Sequence, residues 1–167
     1  MLISAEQKDY AMAVHRLNAS AFETTAEGDL VDKLRAQAQP IVSLTAEIDK
    51  QIVGHILFSP VTLSGNPSLI LMGLAPMAVF PEEQGNGIGT ALVYAGLKQC
   101  RNLNAVAVVV LGHPEYYPRF GFLPSSKFNI DSEYDVPKEL FMLQELETNA
   151  LKDKNGRIKY HPAFGDL

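Results

Sequence analysis

The segment from Leu69 to Leu111 constrains the fold more tightly than any other part of this chain. It opens with an apolar stretch, Leu69 to Phe80, which Pro81 closes. A glycine-punctuated turn follows, Gln84-Gly-Asn-Gly-Ile-Gly-Thr90, and then a run with Ile88, Leu92 and Ala95 at helical spacing. Ala105-Val-Ala-Val-Val-Val-Leu111 is short, apolar and rich in β-branched residues. It reads as a buried strand parallel to the first. Strand, turn, helix and parallel strand make a βαβ unit, expected to be right-handed. Pro76 lies inside the first strand, and proline removes a ladder donor. A bulge or an unpaired flank is therefore predicted there.

The rest of the chain fits around that unit. Tyr10, Val14, Leu17 and Ala21 recur on one helix face, and a second helix is predicted over Asp29 to Gln39, stopped by Pro40. The period then changes to two. Val42, Leu44, Ala46 and Ile48 alternate with polar residues, and Asp49-Lys50 is read as a tight turn into a second strand, Ile52 to Phe58. Phe120 to Ile130 and Phe141 to Leu146 are weaker strand candidates. The pattern is α/β with a mixed sheet.

At 167 residues the chain is expected to form one domain, residues 1–167, whose core needs no disulfide or metal. Its net charge of −5 and the lack of any basic run argue against nucleic-acid binding. The Ala105–Leu111 run is too short to cross a bilayer, and Glu6, Lys8 and Asp9 interrupt the N-terminus before a signal sequence develops. Cys100 is the single cysteine, which fits a reducing, cytoplasmic setting.

Chemistry concentrates at the glycine turn. Glycines at 85, 87 and 89 let a ligand approach the backbone closely, and the first turn of the following helix offers free amides at the positive end of its dipole. A turn that merely caps the helix is the plainer reading, but three alternating glycines weaken a helix start without structural gain. The spacing is G-x-G-x-G, not the dinucleotide G-x-G-x-x-G, and no Gly-Lys-Ser/Thr follows as in a Walker loop. The turn is read as a pyrophosphate cradle for a different cofactor.

Met77 to Val93 resembles the acetyl-CoA signature of the GCN5-related N-acetyltransferases (GNAT), whose core is Q/R-x-x-G-x-G/A; Gln84, Gly87 and Gly89 fill those positions. Tyr116-Tyr-Pro-Arg-Phe-Gly-Phe122 resembles the family's second landmark, with Tyr117 in the tyrosine position. The likeness continues loosely through the N-terminal helices and hairpin. Val136–Leu143 and Gly156–Phe164 look like one uncharacterised bacterial branch.

The resemblance implies a mixed, mostly antiparallel sheet, splayed at a central parallel pair and flanked by helices. It implies transfer of an acetyl group from acetyl-CoA, the cosubstrate, to a primary amine by direct attack, with no metal. Pantetheine would lie along Met77, Ala78 and Val79, and the pyrophosphate against Gln84, Gly85, Asn86, Gly87, Ile88, Gly89 and Thr90. Tyr117 would protonate the departing thiolate, a role open to a phenol of ordinary pKa near 10. The same ring could instead simply pack on Phe120 and Phe122. The acceptor would be a small-molecule or protein amine, and a homodimer is the commonest oligomer for such a chain.

The chain also departs from the pattern. Gly73 and the Val108–Val110 run stand where relatives carry a base carboxylate, and Pro114 stands where many carry an asparagine. No Lys or Arg lies between Gly73 and Lys98, which would leave the phosphates to amides alone. His113 and Glu115 are the base candidates by position. Glu82 and Glu83 read as solvated charges, His55 as a satisfied core or cleft-lining residue and Cys100 as packing. Arg119 could reach a phosphate, with a surface ion pair the plainer reading. The missing carboxylates keep a second reading open, a non-catalytic acyl-CoA-binding module of the same fold.

Overall fold

The computed structural model describes residues 1–22 and 24–166. Among them are nine strands and three α-helices: β1 (Leu2–Ala5), α1 (Ala11–Ala21), α2 (Ala26–Gln37), β2 (Val42–Ile48), β3 (Gln51–Leu63), β4 (Leu71–Val79), α3 (Ile88–Asn102), β5 (Ala107–Leu111), β6 (Leu123–Pro124), β7 (Ile130–Ser132), β8 (Phe141–Glu145) and β9 (Gly156–Lys159). The sheet runs β1-β2-β3-β4-β5-β8-β6. Every neighbour along that path is antiparallel except β4 and β5. β9 joins the far end of β3 and carries β7 beside it in parallel.

Asp49 and Lys50 both take positive φ, 50° and 67°, in the tight β2–β3 turn. That is the two-residue turn whose twist matches the flanking strands. The bulge expected from Pro76 is present. Ile56 pairs with Met77 and Phe58 with Leu74, so the β3–β4 register slips across Ala75-Pro76.

The parallel pair is short: Leu71, Met72 and Gly73 face Ala107, Val108 and Val109. Past Gly73, no further β4–β5 pairing occurs among the described residues, although β4 runs on to Val79. The two strands part there, and β5 keeps only β8 as a neighbour through Val110 and Leu111.

Alternation on the strands sorts the core into two faces. Val42, Leu44, Ala46, Ile56, Phe58, Met72, Leu74, Val108 and Val110 meet α3 through Ile88, Leu92, Val93, Leu97 and Cys100. On the opposite face Leu57 meets Val14 of α1 and Leu30, Val31 and Leu34 of α2. Farther along that face, Val61, Leu71 and Val109 pack under Ile130 and Ile158 of the β7–β9 pair.

The reading of Phe120 to Ile130 as one strand is corrected. It is two short 3-10 turns, Tyr117–Phe120 and Ser125–Phe128, around the two-residue β6. Gly121 (φ 101°) and Asn129 (φ 57°) each end a turn in the left-handed region, which an extended strand cannot contain.

His55 does lie in the interior. It is fully buried, and its Nδ1 is 3.1 Å from Asn18 Nδ2 while its Nε2 is 2.8 Å from Ser43 Oγ. Ser43 donates its hydroxyl proton to Glu6 Oε1 at 2.8 Å, so His55 Nε2–H must donate to Ser43 and Nδ1 must accept from Asn18. That pattern fixes a neutral imidazole. Burial, helped by the charge of Arg35, lowers its pKa to about 3. Arg35 in turn pairs with Glu6, so α1, α2, the β1 end, β2 and β3 are joined by one polar chain.

Candidate active site

The glycine turn and the β4 end enclose a cavity of about 520 Å³. Met77, Val79, Gln84, Gly85, Gly87, Ile88, Gly89 and Thr90 all line it. Ala78 and Asn86 are not among its walls. Ala78 falls on the alternate face of β4, buried at 3% exposure.

Each glycine has its own reason. Gly85 and Gly87 sit at φ 83° and 81°, in the left-handed region, and a Cβ at either would meet nothing within 4 Å. Gly89 is helical, and a Cβ there would stand 3.1 Å from the Tyr116 hydroxyl. Gly87 is the N-cap of α3, and no side chain caps that helix start. Its free first-turn amides and the positive end of its dipole therefore belong to the cavity wall formed by residues 88–90. The Gln84 side chain donates from Nε2 to the Val79 carbonyl at 3.0 Å, tying the turn back to β4. Such an arrangement of free amides at a helix start can hold an anion.

Two further wall residues come from the Tyr-Tyr-Pro-Arg run, one of them, Tyr116, unassigned in the sequence. Tyr116 and Arg119 close the cavity opposite the turn. Arg119 donates from Nε to the Tyr116 carbonyl at 3.0 Å, and its guanidinium lies 4.5 Å from the Tyr116 ring centre. The surface ion pair read for Arg119 is absent among the described residues, and its side chain lies on the cavity wall. The signal was present in the Tyr-Tyr-Pro-Arg run, since a 3-10 turn brings its first and fourth residues to one side. Glu83, half-buried, also lines the cavity.

Tyr117 lies one residue further into the core, at 5% exposure. Its ring meets those of Tyr116 (5.2 Å), Phe122 (5.7 Å) and Phe120 (6.5 Å). Burial, with Tyr116 nearby, raises its pKa to about 12, so the phenol keeps its proton at neutral pH. His113 is exposed at φ 49°, its carbonyl accepting from the Tyr116 and Tyr117 amides and its ring 6.2 Å from Tyr117. Glu115 is exposed on the same loop. Cys100 is buried against the sheet, its thiol pushed up to about 12 by burial, which leaves it unreactive.

Gly73 has a physical cause. A Cβ there would lie 2.9 Å from Cε1 of Tyr160 and 2.9 Å from Cγ1 of Val61. No side chain, carboxylate or otherwise, fits at that position.

This geometry agrees with what the chain is similar to. The Acetyltransferase (GNAT) family matches residues 10–122. The Escherichia coli protein named uncharacterized N-acetyltransferase YhbS is 34% identical over 98% of both chains. The crystal structure of YhbS in complex with CoA superimposes with a TM-score of 0.92, covering 98% of this chain and 91% of that one at 32% identity. A GNAT family acetyltransferase from Brucella melitensis in complex with acetyl-CoA gives a TM-score of 0.81 at 34% identity, over 98% and 97% of the two chains. The fold is that of an acyl-transferring enzyme class. The chain belongs to the GNAT family of N-acetyltransferases.

Proposed function

We propose that this chain, as a single domain, transfers the acetyl group of acetyl-CoA to a primary amine by direct attack, with Tyr117 as the general acid. The observation that carries the reading is the parting of β4 from β5 beyond Gly73, beside a cavity whose wall residue Tyr116 has its ring 5.2 Å from the buried, protonated phenol of Tyr117. The two CoA-bound and acetyl-CoA-bound relatives support the choice of cosubstrate.

The amides from Gly85 to Thr90 receive the pyrophosphate, with Arg119 as the nearby cation. The apolar walls Met77 and Val79 flank the pantetheine, and the unpaired β4 edge offers an amide to the thioester oxygen. The amine lone pair forms the C–N bond at the carbonyl carbon, and the C–S bond breaks. The leaving thiolate takes the phenolic proton of Tyr117. The proton lost by the new amide nitrogen passes to solvent, and solvent returns one to Tyr117. No side chain on β4 or β5 acts as base, since Gly73 has no room for one and Val108 to Val110 carry none. The amine therefore reacts as the neutral fraction delivered by solvent.

Thiol release from acetyl-CoA across a panel of primary amines tests the reading. Tyr117→Phe keeps the ring and its packing, so acetyl-CoA affinity should hold while turnover falls by ~10²-fold. Unchanged turnover in that variant removes Tyr117 from the chemistry. Tight acetyl-CoA binding by the unaltered chain without turnover on any amine would assign it as a binding module.

A further inference from the structure

The same contact that excludes a side chain at Gly73 places Tyr160 at the fork of the sheet. Gly73 is the last β4 residue paired with β5, and its φ is not in the left-handed region. Its smallness serves packing: the Tyr160 ring fills the space where its Cβ would be. That ring stands on the face of the sheet away from α3, where the β7–β9 pair packs.

Tyr160 is held from several sides. It follows β9, whose Lys159 and Ile158 pair with Thr62 and Leu63 of β3. Its amide donates to Glu133 Oε2 at 3.1 Å. Its ring meets Phe164 at 5.1 Å and Tyr134 at 5.7 Å. Burial raises its pKa, and Tyr134, Glu133 and Tyr117 raise it further, so the phenol is neutral and within electrostatic reach of Tyr117. A braced aromatic ring thus stands against Gly73, at the point where the two strands separate.

We infer that Tyr160 is the residue that limits the acyl group this cleft accepts to the two carbons of acetyl. The inference rests on the acetyl-CoA reading, in which the acyl group reaches the fork at Gly73. There the ring is a fixed wall, and each further methylene must displace it. One methylene in a close-fitting apolar pocket is discriminated by about 10- to 200-fold, so a rigid wall is enough to sort acetyl from butyryl. A ring fastened at its backbone and against two other rings cannot swing aside cheaply.

Calorimetric titration of the full chain with CoA, acetyl-CoA, propionyl-CoA and butyryl-CoA tests this without any knowledge of the amine. The unaltered chain should bind acetyl-CoA at least ~10-fold more tightly than butyryl-CoA. Tyr160→Ala should reduce that ratio by ~10-fold or reverse it, with CoA itself bound as before, and Tyr160→Phe should keep it. Should Tyr160→Ala not fold, Tyr160→Leu, which is apolar but has no ring, gives the same reading. CoA binding with an acetyl-to-butyryl ratio that is near one in the unaltered chain, or unmoved in the folded ringless variant, overturns the inference alone. Failure of the unaltered chain to bind CoA or any of the thioesters overturns the cosubstrate reading and this inference with it.

Discussion

Glycine does opposite work in two regions of this molecule. In the turn before α3, Gly85 and Gly87 hold left-handed backbone with open space around the missing side chain. In the sheet and on α3, Gly54, Gly73 and Gly96 are glycines because something else occupies that space. A Cβ on Gly54 would stand 2.9 Å from Ile88, one on Gly73 2.9 Å from Tyr160, and one on Gly96 2.1 Å from the Phe58 ring. The first kind is open space at the cavity, and the second is contact already made. The difference separates residues that report on binding from residues that report on folding.

Gly96→Val should show the largest effect. It drives two methyl groups into the Phe58 ring, and overpacking of that severity costs about 3 kcal/mol. Urea unfolding should show the loss, and CoA affinity of the remaining folded chain should be unchanged. A fully stable Gly96→Val would mean that α3 does not sit on Phe58 as described.

The packed region also carries a pH signature that the turn lacks. His55 is neutral in the folded chain down to about pH 3, whereas an unfolded histidine takes up a proton near pH 6.5. Its contribution to stability is therefore complete above pH 6.5 and is lost as pH falls between 6.5 and 3. The expected slope is about 1.4 kcal/mol per pH unit. Unfolding measured between pH 6.5 and 4.5 should be steeper in the unaltered chain than in His55→Gln. Equal slopes would show that the imidazole is not sealed between Asn18 and Ser43.

Gly87→Asp belongs to the other region and should behave the other way. Stability should fall by about 1 kcal/mol, for a non-glycine residue at left-handed φ. CoA affinity should fall by ten-fold or more, about 1.4 kcal/mol, through the added Cβ and negative charge. A folded Gly87→Asp with undiminished CoA binding removes the turn as the cradle. Arg119→Ala should have the smallest effect, a loss of up to ~5-fold in CoA affinity that shrinks as salt is raised, because the guanidinium is exposed. A salt-independent loss would make Arg119 a packing residue through Tyr116 instead.

Much of the βαβ unit was legible because each of its parts has a local cause. Pro76 forced the bulge, the β-branched run made β5, and the glycine spacing marked the helix start. α1, α2 and the β2–β3 hairpin were equally plain from their periods, although β3 runs five residues beyond the predicted Phe58. β1 and β9 escaped notice, since four-residue strands have too little period to detect and are defined by distant partners, β2 and β3. The site divided along the same line. Met77 and Val79 follow from the family resemblance, and the glycine turn from its own spacing; both lie on the cavity wall. Tyr116 and Arg119 lie in the family's second motif, but their place on the cavity wall depends on how the 3-10 turn after β5 is seated. Tyr160 is more than eighty residues from Gly73 in sequence, and no local pattern announces that one fills the space of the other.

The central claim is that CoA enters along β4 from the glycine turn to the tyrosines. A more capacious groove exists elsewhere, about 990 Å³ between residues 129–136 and the start of β9, and it offers a rival place to bind. Amide chemical shifts of the ¹⁵N-labelled chain during CoA titration decide between them. The account predicts saturable shifts at Gly85, Gly87, Gly89 and Thr90, at Leu74, Ala75 and Met77 to Val79, and at Tyr116 and Tyr117. Shifts confined to Asn129 through Val136 and Asn155 to Arg157, with the glycine turn silent, would contradict it.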